Sequence, residues 1–283
     1  MNNIYLQDIK KQIYKKSPSY TDNINLIMNF YSDKNSVELE RSDIATTIYK
    51  NLNWNKYNQF DVINSFYITF VCALVATQPD NFRFGKKTKL AYRTTFGFCD
   101  ISKINFAKKS IDEDYKELHN NLRKFYKTDI GSLCNRLAGY CHSIANFMPS
   151  PSAYEKGKLS YNQLKGCLPD CVDYLPLFID KIQYCYENNL PLHYNSISGD
   201  MQINYCTIAQ WHDWFIKNYD TTLHLEDYYT IRGNQIIGNN FFLGQSLSYP
   251  IPKTKKEINE CLSSMIQCIE SRANSLPKKP LIL

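Results

Sequence analysis

The stretch from Thr254 to Leu276 constrains the fold of this chain more than any other. Thr254-Lys-Lys-Glu257 reads as a capping box, in which the threonine hydroxyl and the glutamate carboxylate each satisfy an orphan amide of a helix start. Ile258, Cys261, Leu262, Met265, Ile266 and Ile269 then recur at steps of three and four, and Leu276-Pro277 supplies the stop. An apolar stripe of that length is stable only when other elements cover it, so the spacing predicts a protein built by packing helices.

The pattern repeats elsewhere. Helical spacing begins at Ser42, with Ile44, Thr47, Ile48 and Leu52 on one face. Asp61 to Thr77, DVINSFYITFVCALVAT, is the most apolar segment. It falls short of the roughly 20 residues that span a bilayer and is interrupted by Asn64, Ser65 and Thr69, which predicts a central buried helix capped by Asp61. On such a helix Asp61, Ser65 and Thr69 form a polar stripe that must find partners. A capping box at Ser110 to Glu113 opens a helix carrying Tyr115, Leu118, Leu122 and Phe125. Thr128 to Gly131 breaks it, and the next helix is expected from Ser132 to Phe147.

Asp173 caps a further helix, with Pro176 in its first turn and Leu175, Ile179, Ile182 and Tyr186 facing inward. A hairpin fits between Asn189 and Tyr205, and Thr207-Ile-Ala-Gln210 opens an aromatic helix whose Trp211, Trp214 and Phe215 suit a core. Gly233, Gly238 and Gly244 read as punctuation of a loop. The expected fold is mainly α, a single compact helical domain over residues 41–276. A few short strands or hairpins lie in its connections, residues 1–40 are an irregular lead-in and residues 277–283 a tail.

Charge and cysteine usage narrow the function classes. The 33 basic and 27 acidic residues leave a net charge of +6, which permits a small anionic ligand or a weak nucleic-acid contact, without the dense basic patch of a dedicated nucleic-acid binder. Met1 to Lys16 is polar and lysine-rich, without the apolar h-region or small-residue cleavage site of a signal peptide, so none is expected, nor is a membrane anchor. The ten cysteines are therefore expected as free thiols in a reducing cytoplasm. Heavy use of Asn, Lys, Ile and Tyr suits an AT-rich bacterial or phage genome.

Candidate chemistry concentrates in Ser132 to Pro151. On a helix there, Leu133, Leu137, Tyr140 and Ile144 face the core, while Asn135, Gly139, His142 and Asn146 share the opposite face. That second face is polar but uncharged, unlike an ordinary solvated face, and suggests a contact with another polar stripe or a ligand. The catalytic candidates are His142 as general base with Asn146 and Asp61 orienting substrate, and Asn64, Ser65, Arg93 and Asn135 are candidate ligand contacts. The plainer reading makes His142 a hydrogen-bonded histidine of a packing interface. An HNH-like nuclease arrangement would add His119. No cofactor or metal is expected; the alternative is a zinc or other divalent cation on the short-spaced pair Cys167 and Cys171, for which Cys134, Cys141 and His142 lack the spacing of a second pair. Phosphate-binding loops, nucleophile elbows and His-Glu-x-x-His are missing from the sequence.

Asp61-Val-Ile-Asn-Ser-Phe66, Cys141-His-Ser-Ile-Ala-Asn-Phe-Met-Pro-Ser-Pro151 and the Asp173-Tyr174 helix start also carry a resemblance. In that order they resemble a family of uncharacterised bacterial proteins with an Asp-Thr-Met/Ile-Asn-Ser-Phe block, a His-Thr/Ser-Ile-Gly-Asn/Gly-Phe block ending in prolines, and an Asp-Tyr/Arg-Phe-Asp-Leu helix. Val62 replaces the threonine, Ala145 replaces the glycine, and the third block lacks its second aspartate. The resemblance spans roughly residues 35–228 and implies a shared intracellular fold without an activity. Two functions remain in view. One is a binding or interaction protein, such as a phage-defence or counter-defence locus carries, with a polar site between helices. The other is an enzyme acting on a nucleotide or nucleic acid through His142.

Overall fold

The computed structural model describes residues 3–7, 42–54, 59–64, 69, 73, 77, 124–125, 127–150, 174–196, 199–238 and 254–277. These run through α1 (Asp43–Asn51), β1 (Gln59–Val62), α2 (Asp129–Tyr140), a 3-10 turn (Ile144–Asn146), β2 (Phe147–Ser150), α3 (Tyr174–Glu187), β3 (Leu192–Ser196), β4 (Gly199–Ile203), α4 (Tyr205–Asn218), β5 (Tyr229–Arg232), β6 (Gln235–Gly238) and α5 (Lys255–Ser275). Among the described residues 60% are helical and 13% strand, so the protein is mainly helical there. No described helix is long and apolar enough to cross a membrane.

α5 forms as its sequence dictates. The Thr254 hydroxyl accepts from the Glu257 amide at 3.2 Å and the Glu257 carboxylate accepts from the Thr254 amide at 3.0 Å. Every apolar residue of the expected stripe is buried, and α2 lies along it. Arg136 and the Tyr140 hydroxyl of α2 both donate to Glu270 of α5, the tyrosine at 2.6 Å. The N-terminal segment closes over the far end, where Asn3 Nδ2 donates to the Ala273 carbonyl at 3.0 Å and the Tyr5 hydroxyl donates to the Pro277 carbonyl. α1 is capped by Ser42 and buries Ala45, Ile48 and Tyr49.

Two expected helices have other bounds. Gln59 to Val62 is a strand, not the first turn of a buried helix, so Asp61 belongs to β1 rather than to a helix start. Short apolar runs cannot be assigned by periodicity alone, and here partners decide. β1 pairs antiparallel with β2, Val62 opposite Phe147 and Asp61 opposite Met148, while Phe60 stacks on Tyr49 at 3.7 Å. Helix is present farther on, at Thr69, Ala73 and Thr77. The supposed Asp61, Ser65, Thr69 stripe is thus not one helix face.

α2 likewise opens at Asp129 under a Thr128 cap, rather than at Ser132, and ends at Tyr140 instead of Phe147. The Ser143 hydroxyl donates to the Tyr140 carbonyl at 2.8 Å, offering the backbone a competing partner. Pro149 then requires extended chain, and residues 147–150 pair as β2.

The expected hairpin exists as β3–β4. α4 begins three residues before the sequence reading, because the Asn204 side chain already accepts the Thr207 amide at 2.8 Å. Its Trp211, Trp214 and Phe215 are core residues, as expected. The glycine-punctuated loop contains the β5–β6 hairpin, where Gly233 at φ +60° occupies the turn position that glycine suits. Among the described residues Cys134, Cys185 and Cys206 are free thiols, and burial pushes the Cys134 thiol well above its usual range.

Candidate functional site

Asn64 and Asn146 come together, although not between helices. Asn64 follows β1 and Asn146 precedes β2, both with no exposed surface. The Asn146 Oδ1 accepts from the Asn64 backbone amide at 3.0 Å and from its Nδ2 at 3.2 Å. In return the Asn146 Nδ2 donates to the Asn64 carbonyl at 3.1 Å and to the Cys141 carbonyl at 2.9 Å. The side-chain amide of Asn146 therefore acts as one more peptide group and continues the β1–β2 ladder past its end. The Ile63 amide donates to the Asn146 carbonyl at 2.6 Å, and Asn64 Nδ2 reaches the Tyr228 hydroxyl at 3.1 Å. Sealed in the core, this lock is built to hold a strand pair.

His142 lies apart from that lock. It is half-buried on the turn after α2, its ring 6.3 Å from that of Phe147. Because the helix has already ended, His142 and Asn146 do not share a face with Asn135 and Gly139, which remain on α2. Asn135 is half-buried. The side chain of Asp61, together with Ser65, Arg93, His119, Cys167 and Cys171, lies outside the described residues. Among the described residues no group of three or more His, Cys, Asp or Glu could hold a metal ion.

The sequence reading missed the group at the centre. Arg272 of α5 is 1% exposed, its guanidinium 4.9 Å over the Trp54 ring. Nε donates to the Leu223 carbonyl at 2.7 Å, and Nη1 donates to those of Ala145 and Phe147 at 2.8 and 2.6 Å. One buried cation thereby gathers the 3-10 turn, β2 and the loop after α4. Its spacing was the available signal, since Arg272 follows Ile269 by three on the apolar stripe. Trp54 is held over it by donating from Nε1 to the Thr222 carbonyl at 2.8 Å.

Compared with known proteins, the chain matches no family model, no curated protein and no solved structure.

Proposed function

We propose that this chain is a cytoplasmic binding protein, of the sort a bacterial or phage defence or counter-defence locus carries, that recognises a protein partner or a small anionic ligand. The observation that carries this reading is the reciprocal Asn64–Asn146 pair, which commits to architecture the amides that a substrate site would need. One compact domain is part of the reading, supported by Arg272 bonding residues 145, 147 and 223 and by Asn3 bonding residue 273. The resemblance to the bacterial family fits as well. The stretches that carry it include the paired residues Asp61 and Met148 of β1 and β2 and the first residue of α3, Tyr174.

A second reading, an enzyme acting on a nucleotide or nucleic acid, draws on His142. The turn bearing it is fixed by the Asn146 bond to the Cys141 carbonyl, and a half-buried imidazole on a rigid turn suits a general base. A nucleotide-library thermal-shift screen with wild type and His142→Ala separates the two, alongside cleavage assays on single- and double-stranded substrates with divalent metal. The binding-protein reading expects no cleavage or other turnover, and a His142-dependent shift without turnover would make a nucleotide its small anionic ligand. Turnover abolished by His142→Ala would overturn it in favour of the enzyme.

A further inference from the structure

His212 is completely buried on α4, in the helical row Ile208, Trp211, His212, Phe215, where an apolar side chain would be ordinary. Its Nε2 lies 2.9 Å from Oε1 of Gln183 on α3. The protonation of that contact follows from the neighbours. Gln183 Nε2 faces two groups that only accept, the Glu187 carboxylate at 2.8 Å and the Asn234 carbonyl at 3.2 Å. Gln183 Oε1 faces a group that only donates, the Ile236 amide at 3.3 Å. The amide orientation is thus set, so His212 must donate from Nε2, and the neutral ring carries its lone pair on Nδ1.

Gln183 therefore clamps the β5–β6 hairpin by the Asn234 carbonyl in its turn and the Ile236 amide in β6. We propose that His212 is an acid-operated latch: neutral, its Nε2 proton holds Gln183 in the orientation that ties the β5–β6 hairpin to α3, and a second proton on the buried ring releases that hairpin.

The surroundings decide the direction. From α3, the Tyr186 ring stacks on the imidazole at 3.7 Å and Glu187 contributes a carboxylate. From α4, Asp213 Oδ1 stands 3.9 Å from Nδ1 but is engaged by the Tyr186 hydroxyl at 3.2 Å. From the hairpin, the Asn234 carbonyl is the group that faces the ring. Asp213, Glu187 and that carbonyl favour the cation, yet burial outweighs them and holds His212 below the ordinary histidine range. A proton on Nδ1 meets no acceptor at hydrogen-bond distance among the described residues, Asp213 Oδ1 standing 3.9 Å away, so the buried imidazolium is relieved by moving the ring toward Asp213, which draws Nε2 away from Gln183.

Amide hydrogen exchange on the full chain tests the latch, with α5 as internal reference. Between about pH 7.5 and pH 5.5, corrected for intrinsic rates, hairpin amides and above all Ile236 should exchange about tenfold faster relative to α5. His212→Gln keeps an N–H donor but cannot take a second proton, and should lose this response. Gln183→Met removes the clamp without touching a titratable group, and should leave the hairpin fast at both pH values. An unchanged ratio in wild type, or a response that persists in His212→Gln, would overturn the proposal. Should His212→Gln not fold, NMR titration of histidine-labelled wild type decides: the His212 midpoint must coincide with hairpin loosening, and a hairpin that stays closed through that midpoint sinks the latch.

Discussion

A buried asparagine can serve a ligand or the chain, and Asn146 serves the chain. Its amide uses both the acceptor and the donors that a carboxylate or a methyl could not supply together, because Nδ2 faces two carbonyls while Oδ1 faces two N–H groups. Asn146→Ala should therefore cost about 2–4 kcal/mol, since it strands several buried backbone groups at once. Asn146→Asp should cost at least as much near neutral pH, where a buried carboxylate would confront the Asn64 and Cys141 carbonyls. Urea unfolding measures both, and a loss under about 1 kcal/mol would mean that the ladder extension is dispensable. Part of this pair was legible beforehand, because Asn64 and Asn146 stood out as uncharged polar residues in apolar surroundings. Their partnership was not, since it joins positions 82 residues apart and depends on a strand pairing that no local pattern displays.

Among elements, legibility followed the range of the forces that form them. α5 could be read in full because a capping box and a three-four stripe are local facts. β1 could not, because its apolar run becomes strand only when β2 arrives beside it. The end of α2 follows from local signals that a helical period continuing through Ile144 masks, the Ser143 hydroxyl and Pro149, together with the pairing of β2 on β1. Arg272 binds these elements together, and a planar fork matters there more than a positive charge. Arg272→Lys keeps the charge but cannot donate at once toward Leu223, Ala145 and Phe147, nor lay a flat cation on Trp54. Its expected cost is about 3 kcal/mol by urea unfolding. Near-wild-type stability in that variant would show that charge alone suffices.

Across the whole molecule, the titrating groups pull stability in opposite directions. Burial lowers His212 and His224 below the ordinary histidine value, so the unfolded chain takes up protons first and stability present above about pH 6.5 is lost as pH falls. Asp180 of α3 behaves inversely. Its Oδ2 is buried with no hydrogen-bond partner among the described residues, and burial raises its carboxyl from 3.8 to about 6. The folded chain takes up that proton first, so Asp180 contributes stability in acid that is lost as pH rises through about 6. At neutral pH its ionised form is a net cost, on the order of 1 kcal/mol once solvent screening of a partly exposed group is allowed for. Asp180→Asn should therefore unfold a few degrees higher than wild type near pH 7. Toward about pH 4 the variant loses that advantage, because wild type regains stability by protonating Asp180 and the variant does not. Melting curves across that range should converge at the acid end, and curves that stay parallel would clear Asp180 of the role.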